Sequence, residues 1–347
     1  MNSEPVTLQA RLDRLRASVW LRRLWQAIQL VVPLALFALL LSKIEIRQVW
    51  KILYSADWRW LVGGFLLFSS LDVWRTVRFR HFIGLEAALL FPVTILTSFF
   101  NTLLPFRLGE FSFPYFMRKW DVPVEESVTN LIGVRILDLS VLVVGTLLLW
   151  TFALDETQPL GLMIAVAIIG IGIALVFVME RTSLARVIMN VLRRSRLATR
   201  ISFPLRWREI CRNIIEQLRQ MASPSGILIG GGISFIIWAE NCLVPLFLFR
   251  GLGLPLDALE LIFAASLLQL IALLPFNVVG GIGFLDLTWV GLLVWFGMPF
   301  EQSSEAVIAT RALFYLFVFV WGGCGWLLWY AIRALRGSKR AGLGKLP

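Results

Sequence analysis

The chain alternates long apolar runs with short polar breaks. Apolar residues dominate at about 24–43, 60–79, 87–106, 126–151, 160–179, 226–250, 257–276, 283–297 and 304–331. Most of these runs approach the roughly 20 residues an α-helix needs to cross a bilayer. None shows the short alternating strands of a transmembrane barrel. The pattern predicts an all-α polytopic membrane protein.

One break differs from the others. The run at 87–106 ends in Leu103-Leu104-Pro105-Phe106-Arg107-Leu108-Gly109-Glu110, and residues 107–120 are too short and too polar to span. A second copy reads Leu273-Leu274-Pro275-Phe276-Asn277, followed by Gly280-Gly281-Ile282-Gly283-Phe284-Leu285-Asp286. Further matches keep the same order. At an offset of 176 residues, Val122-Pro123-Val124-Glu125-Glu126-Ser127 resembles Met298-Pro299-Phe300-Glu301-Gln302-Ser303, Glu110 falls on Asp286 and Arg135 on Arg311. At an offset of 168, Gly63-Gly64 and Asp72 match Gly231-Gly232 and Glu240. These matches predict a duplication with halves at about 60–151 and 226–331. The bland alternative is chance similarity between apolar segments rich in Leu, Pro and Gly.

Charge sets the expected orientation. The chain has 347 residues, a net charge of +11 and a mean hydropathy of +0.79. In a membrane protein such an excess marks cytoplasmic loops rather than nucleic-acid binding. The basic N-terminus 1–23, the 181–220 loop with its ten arginines and the basic tail 336–347 read as cytoplasmic. Apolar spacing at Leu184, Val187, Ile188, Val191 and Leu192 makes the loop an amphipathic surface helix. Trp58, Trp60, Trp150, Trp326 and Trp329 suit the interfaces. The first run lacks a small-residue cleavage site and reads as a retained span. With the arginine loop inside, the chain must enter and leave on one side between about 87 and 125. Residues 87–120 are therefore expected to form a re-entrant hairpin that breaks at Pro105. Such backbone is tolerated at depth only inside protein or beside a watery cavity. The expected architecture is about six full spans plus two re-entrant or broken helix hairpins in an inverted repeat, an arrangement used by transporters.

Chemistry is sparse. The three cysteines show no Cys-x-x-Cys spacing, His81 is the single histidine, and no Walker A pattern occurs. No metal site, cofactor or catalytic residue is expected. Charges inside the bilayer cost about 2.5–3.5 kcal/mol on insertion scales, so each needs a partner or a purpose. Arg135 and Asp138 share a helix face, either as a mutual ion pair or with the arginine facing a cavity where it could hold a lipid phosphate. Arg311 has no acid one turn away, so Asp286 or Glu110 must serve it. Glu110 and Asp286 follow glycine-rich turns, where a helix dipole would stabilise them or a gating salt bridge could use them. Glu240 is a mid-span carboxylate suited to proton coupling or to a helix–helix hydrogen bond. Asn101 and Asn277 sit beside the breaks and could satisfy freed backbone groups, while Asp72 and Arg75 read as a structural pair. Pro105, Gly109, Pro275, Gly280, Gly281 and Gly283 make the breaks, the glycines by close approach or positive φ.

Pro105-Phe106-Arg107-Leu108-Gly109-Glu110, Arg135, Pro275 with Gly280-Gly281-Ile282-Gly283, and Arg311 together resemble the transmembrane domain of lysylphosphatidylglycerol synthases, the flippase-like or UPF0104 family. The resemblance covers about 25–335. Asp286 stands where related chains commonly carry Glu. With the chain ending at 347, the soluble aminoacyl-transfer domain is expected to be absent. The resemblance then implies translocation of a phospholipid, aminoacyl-phospholipid or polyprenyl-linked lipid, not an enzyme. Arg107, Glu110, Arg135, Asp138, Glu240, Asn277, Asp286 and Arg311 are the expected substrate-binding residues. The expected partners are membrane lipids with anionic headgroups and a separate lipid-modifying enzyme, in the cytoplasmic membrane with both termini inside. A membrane enzyme acting on a lipid or polyprenyl-phosphate headgroup, or a lipid-binding scaffold, is the alternative.

Overall fold

The computed structural model describes residues 46–153, 223–254, 256–272 and 281–343. These residues are helical, without a strand among them. The runs at 24–43 and 160–179, the 181–220 loop, and the break residues Pro275, Asn277 and Gly280 lie outside the described residues.

The first half begins with α1, Ile46–Tyr54, a short amphipathic helix that the run pattern passes over. It is followed by α2, Trp58–Ile83. Asp57 caps α2 by accepting from the Arg59 N–H at 2.9 Å, and the helix ends at Gly84 in the left-handed region. Next come α3 (Ala87–Leu103), a 3-10 helix (Pro105–Phe111), α4 (Ser112–Arg118) and α5 (Val124–Ala153).

The second half contains α6 (Pro224–Gly251), α7 (Ala258–Ile271), α8 (Phe284–Trp295) and α9 (Phe300–Leu343). Ser223 and Asp257 cap α6 and α7 through their side-chain oxygens. α9 runs well past the apolar stretch that predicted it and carries the helix into the basic tail. Within the described residues, Val124–Leu149, Pro224–Gly251 and Phe300–Arg336 are long and apolar enough to cross a membrane. α2 has the length but contains Asp72, Arg75 and Arg78.

The break after α3 has a local cause. Proline has no N–H to donate and pushes the residue before it out of the helical region. Leu104 is accordingly extended, at φ −88° and ψ 138°. The 3-10 helix then folds back onto α3. Gly109 lies so close that an added Cβ would sit 2.1 Å from the backbone nitrogen of Asn101. The expected hairpin at Pro105 is therefore a real reversal of the chain. In the second half, Gly281 and Gly283 have φ of 76° and 89°, and α8 starts directly after them.

Packing between the halves is reciprocal. α2 packs most extensively against α6, α3 packs on α9, and α7 packs on α5. One apolar cluster gathers Phe79, Leu90, Phe113, Met117 and Trp329 around the first hairpin. Another gathers Phe249, Leu261, Val290, Leu293 and Ala306 among α6, α7, α8 and α9. Polar residues are left to the space between.

Candidate functional site

A cavity of about 730 Å³ lies among the helices of both halves. Each of α2, α3, α5, α6, α7, α8, α9 and the 3-10 helix contributes to its wall. Of the expected substrate-binding residues, Glu110, Arg135, Asp138, Asp286 and Arg311 meet there. Asn101, beside the first break, also lines it. Glu240 stands apart from this wall. Arg107 belongs to the 3-10 helix by its backbone.

The charges are arranged as ion pairs. Arg135 on α5 reaches across to Glu110 on the 3-10 helix at 2.7 Å. Arg311 on α9 donates through Nε to Asp286 on α8 at 2.7 Å, and through Nη2 to the same oxygen. Asp286 also accepts from the Gly283 N–H at 3.0 Å, so it caps α8 as well as pairing. Glu110 lies inside the 3-10 helix rather than at an α-helix start. In each half, then, the carboxylate after the break bonds the arginine 25 residues later, since 135 − 110 and 311 − 286 agree. The two pairs differ in exposure. The side chains of Arg135 and Glu110 are 41% and 21% exposed, those of Arg311 and Asp286 15% and 0%. The first pair is accessible from the cavity, and the second is built into its wall.

Arg135 and Asp138 share a helix face as their spacing requires, but they are not each other's main partner. Their nearest approach is 3.9 Å. Asp138 is held instead by Arg78 of α2, through Nη1 and, at 3.2 Å, Nη2. Arg78 also donates to Ser234 of α6 at 2.6 Å and is 2% exposed. Its fork thus ties three helices together. Sequence reading missed Arg78 because it lies at the end of the apolar run at 60–79 and looks like the basic end of a span. Its spacing of three from Arg75, on one helix face, was the available signal.

A second set of polar contacts joins α2 to α3, α6 and α9, and its Arg75 and Ser98 line the cavity. Asp72, 1% exposed, accepts from Arg75 at 2.9 Å, Ser98 at 2.6 Å and the Trp321 indole N–H at 3.0 Å. It links α2, α3 and α9. Glu240 accepts from Ser70 at 2.9 Å and the Trp74 indole at 3.0 Å, linking α6 to α2. A hydrogen bond to a charged acceptor is worth about 1.5–3 kcal/mol. Trp321→Phe keeps an aromatic side chain but removes that donor from Asp72 together with the indole's second ring. It is expected to destabilise the protein by about that amount, read as a lower unfolding midpoint in detergent.

Chain-wide similarity agrees with this framework of broken hairpins and paired arginines. The family model described as lysylphosphatidylglycerol synthase TM region matches residues 26–322. The chain belongs to this family. No match was found among curated proteins or among solved structures. Within the family match lie the hairpin at Pro105, the Arg78–Asp138 tie and both carboxylate–arginine pairs. The protein is thus a membrane protein of a lipid-related family, and Glu110, Arg135, Asp138, Asp286 and Arg311 line one cavity in it.

Proposed function

We propose that the protein is a lipid translocator, with the cavity between its halves receiving a headgroup while the acyl chains stay in the bilayer. The observation that carries this reading is the cavity of about 730 Å³ among the helices, largely apolar in its lining yet bearing Arg75, Arg78, Arg135 and Arg311. Desolvating several charges is costly unless the site has a use for them. Arg135 is the group for a lipid phosphate. It is the most exposed of the four paired arginines on the cavity wall, and its planar fork suits phosphate oxygens. Arg311 with Asp286, and Arg78 with Asp138, hold the wall in shape.

The same reading makes the two halves an inverted repeat. Its support is the equal 25-residue spacing of Glu110–Arg135 and Asp286–Arg311, together with the reciprocal packing of α3 on α9 and α7 on α5. Two opposed halves around one site can expose it to each leaflet in turn. The two hairpins then re-enter rather than cross, alongside about six full spans, in the cytoplasmic membrane with both termini inside. A separate lipid-modifying enzyme would supply or consume the lipid. The chain itself would perform no covalent chemistry.

The test is a leaflet-accessibility assay in proteoliposomes. Arg135→Ala should slow translocation by roughly tenfold or more, the effect of losing one charge-assisted hydrogen bond. Its fold should suffer less than that of an Arg311→Ala protein, because the Glu110–Arg135 pair is the more exposed of the two. Unchanged translocation by a well-folded Arg135→Ala protein would refute the phosphate assignment.

A further inference from the structure

The charges of the cavity restrict which headgroup it can take. Four arginines line it with described side chains, and each already has a carboxylate: Arg75 with Asp72, Arg78 with Asp138, Arg135 with Glu110, Arg311 with Asp286. Positive and negative charges match among these groups. A phosphate that engages Arg135 must compete with Glu110, and it would leave that carboxylate facing another anion in a weakly screened space. A headgroup that brings its own cation removes this conflict.

Unpaired polar atoms point the same way. Asn101 Oδ1 is buried on the cavity wall without a hydrogen-bond partner. So are donors that could serve a phosphate, Arg78 Nε and Arg135 Nε, with the hydroxyls of Thr97 and Thr310. Native structures rarely leave such groups unmade. The acceptor side is localised. Gly109 rests against the backbone of Asn101, so Glu110 and Asn101 occupy one corner of the cavity, with Arg135 bonded to that corner at 2.7 Å. A carboxylate and an unpartnered amide oxygen on the same part of the wall suit a cation that carries N–H groups. A quaternary ammonium has none to give.

We infer that the cavity selects a headgroup joining one phosphate to one primary ammonium, with the phosphate on Arg135 and the ammonium on Glu110 and Asn101. Headgroups of net negative charge are disfavoured. This inference rests on the translocator reading and can fail separately from it.

The experiment uses the full chain in proteoliposomes with acyl-chain-labelled phosphatidylethanolamine, phosphatidylcholine or phosphatidylglycerol, scored by dithionite quenching of the outer leaflet. Native mass spectrometry of the purified protein offered the three lipids together measures binding in parallel. Phosphatidylethanolamine should be moved and bound roughly tenfold or more in preference to either of the others. Glu110→Gln should bring the ethanolamine-to-glycerol ratio close to unity. Equal or faster movement of phosphatidylglycerol overturns the inference and leaves the translocator reading standing. Selective binding of phosphatidylethanolamine without movement of any lipid upholds the selectivity and overturns translocation. No preference in either measurement overturns the inference.

Discussion

Arg311→Ala is expected to destabilise the protein by about 3–5 kcal/mol, the cost of stripping the partner from a buried charge. Asp286 is fully buried, and Arg311 bonds it through two nitrogens. Without the guanidinium, the carboxylate keeps the Gly283 N–H, which bears no full charge. The loss should appear as a large fall in the unfolding midpoint in detergent. Changing Asp286→Asn alongside Arg311→Met should recover most of it. The charge then disappears from both sides, while an oxygen remains for the Gly283 N–H. Arg135→Ala is the control within the same molecule. It breaks the pair with the same 25-residue spacing, yet should cost clearly less because that pair is the more exposed of the two. Equal losses for the two variants would show that burial does not separate the pairs and would undo the division of roles between them.

Gly109→Ala should be the most damaging small change in the first half. Its Cβ would lie 2.1 Å from the Asn101 nitrogen, and 2.3 Å from Asn101 Cα and the Phe100 carbonyl carbon. All three are backbone atoms of a packed helix and cannot rotate away. Ordinary overpacking costs about 1–3 kcal/mol, and this contact should reach or exceed the upper end. To relieve it, the 3-10 helix must lift from α3 and carry Glu110 with it. A drop in unfolding midpoint together with a large loss of lipid movement is the expected result. A variant as stable and active as the parent would mean that the hairpin does not need this approach.

Much of the helical plan was legible in advance. The runs at 60–79, 87–106, 126–151, 226–250, 257–276, 283–297 and 304–331 correspond to α2, α3, α5, α6, α7, α8 and α9, because apolar length is a property of the chain alone. The break at Pro105 was legible for the same reason, since proline acts on its own peptide and the one before it. α1 was not legible. Nine residues with an apolar face packed on α9 resemble a loop when runs are scored by length. The candidate site was half legible. Glu110, Arg135, Asp138, Asp286 and Arg311 stood out as charges in apolar surroundings, and they do line one cavity.

Their partners were another matter. Spacing offered Asp138 to Arg135, but the structure gives Asp138 to Arg78, 60 residues earlier, and Arg135 to Glu110 across the hairpin. Asp72 was legible as a partner of Arg75, yet its bond to Trp321 spans 249 residues. The order of apolar and polar residues determined that this chain is a helical membrane protein with two breaks and a small set of costly internal charges. Those are consequences of local sterics and of transfer between water and lipid. Which arginine neutralises which carboxylate, and which pair stays open to a ligand, was decided only when the helices packed. That choice depends on distances across the bundle, and the packing of α2 on α6, α3 on α9 and α7 on α5 sets them.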